Sequence, residues 1–404
     1  MMPQPDLATR FLGWTALHSM FHRGYWLVTS LYLVLVADLS AFQLLLLGTV
    51  MGITAVLSEV PTGVIADTVS RKWSAIIGHL LKGGAMVMTG LVTDVPLLLT
   101  TQVLWSLGGS FKSGADVAWI TDELNRPDRI ARVLTANARW EQVGSACGMV
   151  AFGALAWATD LGTSIVVSGA AMVLLGLLVV TRFPEHDFIP THEHRWRESA
   201  AILRRGVTFA RRDREILVVF AATALVNGGS EAFGRLYPKH LVALGFPQQP
   251  DPIVWFTMLG LTTVVLAALA LRIVEARIDG VGSARRLYAA ACVTGALGLL
   301  LLSQAPDELA GMAGVLLMAG VAEPVARSVS TIWVNRRASS DVRATVHSFL
   351  SQAETCGEII GGLALGAVAA VAGIPAALTG SCLIFAVTAV LVARSRESRA
   401  RVEV

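Results

Sequence analysis

The chain has 404 residues, 54% hydrophobic and only 15% charged, with a mean hydropathy of +0.63. Soluble domains carry about a quarter charged residues, so this composition excludes an ordinary water-soluble protein. A net charge of +3 gives no sign of a nucleic-acid partner.

Apolar segments of spanning length are predicted at 11–36, 42–66, 73–93, 95–120, 134–158, 162–182, 215–238, 253–275, 287–304, 309–331, 345–371 and 374–393. A bilayer core takes roughly 20 apolar residues per helix. The expected fold is therefore an all-α integral membrane protein with twelve transmembrane helices. The polar start, MMPQPDLATR, is not followed by a small-residue cleavage site, so the first segment is expected to be a retained helix. Cys147, Cys292, Cys356 and Cys382 lie inside apolar runs without a CxxC pair, and read as small packing residues.

The segments at 11–36 and 215–238 read as the least apolar. The first holds His18, His22, Arg23 and Trp26, the seventh Glu231 and Arg235. Polar side chains in a span face a cavity more readily than lipid. His18, His22 and Trp26 recur at i, i+4 and i+8 on one face, as cavity lining or as packing. A histidine there is a candidate proton responder.

A charge at mid-membrane costs roughly 2.5–3.5 kcal/mol on insertion scales, so each needs a partner or a task. Lys112/Asp116, Glu231/Arg235 and Glu323/Arg327 are opposite charges four apart, able to neutralise each other along one helix face. Glu59 and Glu358 have no basic residue at that spacing. A buried carboxylate without a compensating charge takes up a proton near neutral pH. Glu59, Asp116, Glu231 and Glu358 are accordingly the proton-coupling candidates. His18, His22, Arg23, Trp26, Lys112, Arg235, Glu323 and Glu354 are the cavity candidates.

The longest polar stretch, 183–213, divides six segments from six. The expected organisation is a six-helix bundle at 1–183, a linker at 184–213 with a possible amphipathic surface helix, and a second bundle at 214–404. The linker's His192-Glu193-His194 triplet is a weak metal pattern within a charged loop. Of the loops on one face, five contain no Lys or Arg and the sixth only Lys239. The other face is rich in arginine, which places both termini and the linker in the cytoplasm. The halves also repeat: Trp119 and Arg129 match Trp333 and Arg343 at an offset of 214, and Gly144, Gly148 and Gly153 match Gly357, Gly361 and Gly366 at 213. Two parallel six-helix repeats form a known transporter plan.

The run from Glu59 to Lys72, EVPTGVIADTVSRK, straddles the end of the second segment. Asp67 and Arg71 are four apart, and Gly63 offers a surface for a close helix approach. With the topology, this run resembles the signature of the major facilitator superfamily at Gly63, Asp67, Arg71 and Lys72. Thr68 and Ser70 depart from it, standing where arginine and glycine are usual. The resemblance implies that these residues, joined by Asp122, latch the cytoplasmic side. A second copy after the eighth segment is eroded to Glu275, Arg285 and Arg286. Gly144/Gly148 and Gly357/Gly361 have GxxxG spacing, which permits helix packing and is also similar to the glycine-rich motif of drug–proton antiporters. That branch's proline in the fifth helix and arginine in the fourth are absent.

The resemblance implies proton-coupled efflux of drug-like or amphipathic molecules by alternating access in the plasma membrane. The alternatives are a proton-coupled nutrient importer and a receptor with a transporter fold. No Walker sequence and no nucleophile–base set is present, so neither ATP-driven pumping nor an enzyme is expected. No cofactor is implied. The expected partners are a small-molecule substrate, protons and the lipid bilayer, with the chain acting as a monomer.

Overall fold

The computed structural model describes residues 7–124, 127–186, 188, 208, 213–245, 249–279, 281–338 and 342–395. Among them every regular element is helical. In chain order these are α1 (Leu7–Leu35), α2 (Ala41–Thr68), α3 (Arg71–Leu91), α4 (Val95–Lys112) continued by α5 (Ala115–Leu124), α6 (Pro127–Ala158) and α7 (Leu161–Arg182). Then come α8 (Arg214–Ala243), α9 (Pro252–Arg277), α10 (Val281–Ser303), α11 (Glu308–Leu317) continued by α12 (Glu323–Arg337), α13 (Arg343–Ala372) and α14 (Ile374–Arg394). Counting the two continued helices once each, they form the twelve expected segments. The anticipated linker helix and the His192–His194 triplet lie outside the described residues.

Of the segments expected to be regular helices, the fourth is broken and the tenth is locally widened. Gly114, at φ +75°, interrupts the fourth span between α4 and α5, in a backbone region open to glycine. A π-helical turn, Met318–Ala322, joins α11 to α12. Lys112 and Asp116 therefore face each other across a kink and not along one regular helix. Nine of the described helices are long and apolar enough to cross a membrane. The helices α1, α4, α5 and α6 are not among them, whereas α8, which covers one of the two segments read as least apolar, is. Histidines and Arg23 dilute α1, and α6 opens on the polar run PDRIARVLTANARWEQ.

Helix starts follow from side-chain oxygens placed to accept the orphan N–H groups of a first turn. Ser70 caps α3 through the Trp73 amide, Asp160 caps α7 through Thr163, and Asp213 caps α8 through Glu215 and Ile216. Asp307 caps α11 through Ala310.

The helices form two compact units. The first comprises the described residues of Met1–Leu39, Val50–His192 and Pro247–Leu261, and the second those of Ser40–Thr49, Glu193–Phe246 and Thr262–Val404. In the first, α1 runs along α6, where Gly144 and Gly148 lie directly on the backbone carbonyls of Ala16 and Met20. In the second, α8 runs along α13, and Gly357 lies on the Ala224 carbonyl while Gly361 meets the Gly228 backbone. The glycine register read as a repeat is thus a repeated contact, in which small residues let two backbones touch. Trp119 and Trp333, also matched in the repeat, are both buried. Around Trp119 gather Phe11, Trp14, Ile76 and Phe183, with the Trp119 and Phe183 rings 5.1 Å apart.

Two packing expectations need correction. Gly63 has no described atom within 4 Å of where a Cβ would stand, so no helix backbone seats on it here. Cys147 and Cys356 are exposed, whereas Cys292 is buried. The former pair is therefore not packed among the described residues.

Candidate functional site

The signature residues converge at one end of the first unit. Arg71, at the start of α3, pairs with Asp67 one turn back in α2 at 3.2 Å and with Asp122 of α5. Lys72 donates to the Val180 carbonyl at 3.0 Å. Ser70, the position expected to be glycine, has its own task. Its hydroxyl caps α3 and donates to Glu185 at 2.5 Å, and the same carboxylate accepts from the Lys72 amide at 2.9 Å. Thr68, at the other departure, turns back to the Val64 carbonyl.

The interior of the first unit is aromatic and basic. His18 and His79 share a hydrogen bond of 3.1 Å, and the second His79 nitrogen lies 2.7 Å from the Ala75 carbonyl. Lys112 and Asp116 pair at 2.6 Å. His22 and Trp26 both lie against Trp105, with ring centres 5.4 Å away in each case. Lys82 of α3 brings its ammonium 4.4 Å from the Trp105 ring centre. Arg23 and Glu59 lie on exposed faces of their helices.

The second unit is acidic inside. Glu231 and Arg235 of α8 pair at 2.9 Å, and Gly48 of α2 leaves the room that the Glu231 carboxylate fills. A small pocket is lined by Asn227, Tyr288, Glu323, Arg327, Ser330 and Glu354. Glu358, one turn beyond Glu354 on α13, is half-buried. The charges around it are Glu231, Glu354, Arg235 and Arg327.

Sequence reasoning missed several of these groups. Lys82 and Trp105 were passed over, although a lysine inside a span with no acid four residues away is itself a signal. Glu215, Arg285 and Arg337 form an ion cluster at the start of α8, with distances of 3.5 Å from Glu215 to Arg285 and 3.3 Å to Arg337. Arg337 also reaches Asp213 at 3.2 Å. Arg285 belongs to the eroded second signature, but Glu275 is exposed and the arginine turns to Glu215 instead. No spacing rule connects residues 215, 285 and 337, so only the fold brings them together.

Two units of parallel helix order, with backbone-close glycine contacts and charged interiors, define a multi-pass membrane transporter of the secondary type. The Major Facilitator Superfamily profile matches residues 13–350, and the chain belongs to that family. It is similar to the uncharacterized MFS-type transporter YxaM of Bacillus subtilis (strain 168), with 22% identity over 370 residues, covering 91% of this chain and 90% of that one. Among solved structures, the nucleoside transporter NupG superposes with a TM-score of 0.74 at 17% identity, covering 96% of this chain and 98% of the other. A POT family transporter in complex with a thioalcohol-conjugated peptide gives 0.73 at 11% identity, covering 95% of each chain. A bacterial homolog of the human lysosomal transporter Spinster, inward-facing and unoccupied, gives 0.72 at 14% identity, covering 97% and 96%. These likenesses concern the fold.

Proposed function

We propose that the chain is a proton-coupled transporter that works by alternating access and exports amphipathic small molecules across the plasma membrane, as a monomer with both termini in the cytoplasm. The observation that carries the coupling is the charge balance around Glu358. Four carboxylates (Glu231, Glu323, Glu354 and Glu358) stand against two guanidiniums, Arg235 and Arg327. In a poorly solvated interior the acids outnumber the bases, and a proton offsets part of the excess. Glu231 is held by Arg235, and Glu323 and Glu354 share a lining with Arg327, which leaves Glu358 as the carrier. Asp116 is committed to Lys112 and serves the first unit's electrostatics instead. Asp67, Arg71, Lys72 and Asp122 form the conformational latch, with Gly63 beside them.

The test is flux in proteoliposomes under an imposed pH gradient. The gradient should accelerate cargo movement by the native protein. Glu358→Gln should keep cargo exchange at equilibrium and lose the response to the gradient. A native protein whose flux ignores the gradient would sink the coupling. Direction is read in inside-out vesicles, where an acid lumen should drive accumulation. Orientation is read by a C-terminal fluorescent-protein fusion, which matures in the cytoplasm only.

A second reading, uptake of a polar metabolite, is favoured by the basic lining of the first unit. Growth that depends on one solute, without drug sensitivity on deletion, would select it.

A further inference from the structure

Lys82 is 5% exposed, and no carboxylate among the described residues pairs with it. The charged groups near it are Lys112 and Asp116, and Asp116 is taken by Lys112 at 2.6 Å. So two lysines share one acid. The ammonium rests 4.4 Å from the Trp105 ring centre, a cation–π contact that leaves its N–H groups without an acceptor. Trp105 repeats the pattern, because its indole N–H is buried and makes no hydrogen bond among the described residues. A buried charge and a buried donor left unmet are both costly, and both ask for the same thing, an acceptor carrying negative charge.

Space for it comes from α4. Gly109 has no side chain, and a Cβ there would meet nothing but the Lys82 Nζ, 4.0 Å away. Beside the ammonium stand His22 and Trp26, each with its ring centre 5.4 Å from that of Trp105. The surroundings thus combine unmet donors with aromatic rings.

We propose that Lys82 and the Trp105 indole N–H form a seat for the anionic group of the cargo, with Trp26 and His22 against its apolar part. The transported class is then a small organic acid carrying a ring or similar apolar body. This rests on the transporter reading above and narrows its substrate. Lys82 supplies charge, Trp105 supplies direction, and Gly109 keeps the seat open.

The test is binding to the purified full chain of three probes with the same ring: benzoate, benzyl alcohol and benzylamine. Benzoate should bind at least about tenfold more tightly than the other two, the scale of one charge-assisted hydrogen bond. Lys82→Met should abolish that preference, Lys82→Arg should restore it, and Gly109→Val should weaken benzoate binding with the lysine intact. Flux of benzoate in proteoliposomes is measured alongside. Binding with the expected preference but no flux upholds the seat and counts against transport of this class. Equal binding of the three probes, no binding of benzoate, or an unchanged preference in a folded Lys82→Met protein overturns the seat whatever the flux. If Lys82→Met fails to fold, Gly109→Val decides: unchanged benzoate affinity overturns the proposal.

Discussion

Gly361 of α13 lies against the backbone of Gly228 in α8, so that any side chain at 361 would be driven into main-chain atoms. A backbone cannot swing aside as a flexible side chain can. Gly361→Ala should therefore separate α8 from α13 and cost about 1–3 kcal/mol, the range for overpacking a filled interface. Gly234, on the same α8, has open space around its Cβ position. Gly234→Ala should be neutral or stabilising by about 0.5–1 kcal/mol, because alanine suits a helix interior better. Thermal unfolding of the two variants in one detergent checks the contrast, and equal effects would contradict the packing account.

The Glu215 cluster should be sensitive to the loss of its single buried acid. Glu215 is 2% exposed between Arg285 and Arg337. Glu215→Gln leaves Arg285 without that acid, while Arg337 keeps Asp213. Removing one partner of a buried pair costs about 3–5 kcal/mol. The variant should show lower folded yield, and the double change Glu215→Gln with Arg285→Met should recover part of it. Expression and size-exclusion profiles measure this, and a double variant no better than the single one would refute the pairing.

The latch gives a kinetic prediction. Arg71 bridges α2 and α5 through Asp67 and Asp122, in a partly exposed setting. Such pairs are worth up to about 1 kcal/mol, or about fivefold in an equilibrium. Arg71→Ala should slow transport by roughly that factor while cargo affinity stays within twofold of the native value. A matching fall in affinity would place Arg71 in the cargo site instead.

The cap of α7 gives a prediction about pH. The Thr163 hydroxyl and amide donate to the Asp160 carboxylate at 2.6 and 2.8 Å, which holds its pKa below the ordinary aspartate value. A lowered folded pKa contributes stability above the unfolded value of about 4 that fades as pH falls through the folded one. Asp160→Ala should cost about 1 kcal/mol at neutral pH. The difference should shrink below roughly pH 4, as native Asp160 also loses its charge. Paired unfolding curves at pH 7 and at acid pH measure it, and a gap that widens in acid would reverse the sign.

The sequence alone determined the class of fold. Apolar length counts helices because a bilayer sets their span, and arginine asymmetry and the glycine register are properties of linear order. The signature pairing of Asp67 with Arg71 was legible for the same reason, since four residues make a helical turn. Tertiary structure decided what distance along the chain conceals. The break at Gly114 depends on a φ value that one glycine in an apolar run does not announce. Ser70 looked like a defect in a motif until Glu185, 115 residues away, appeared as its partner. Lys82 and Trp105 belong to different helices, and their unmet N–H groups become visible only when every neighbour is in place. Local rules fix helices because their hydrogen bonds close within a few residues, whereas a site gathers side chains from several helices, and which faces meet is settled by packing.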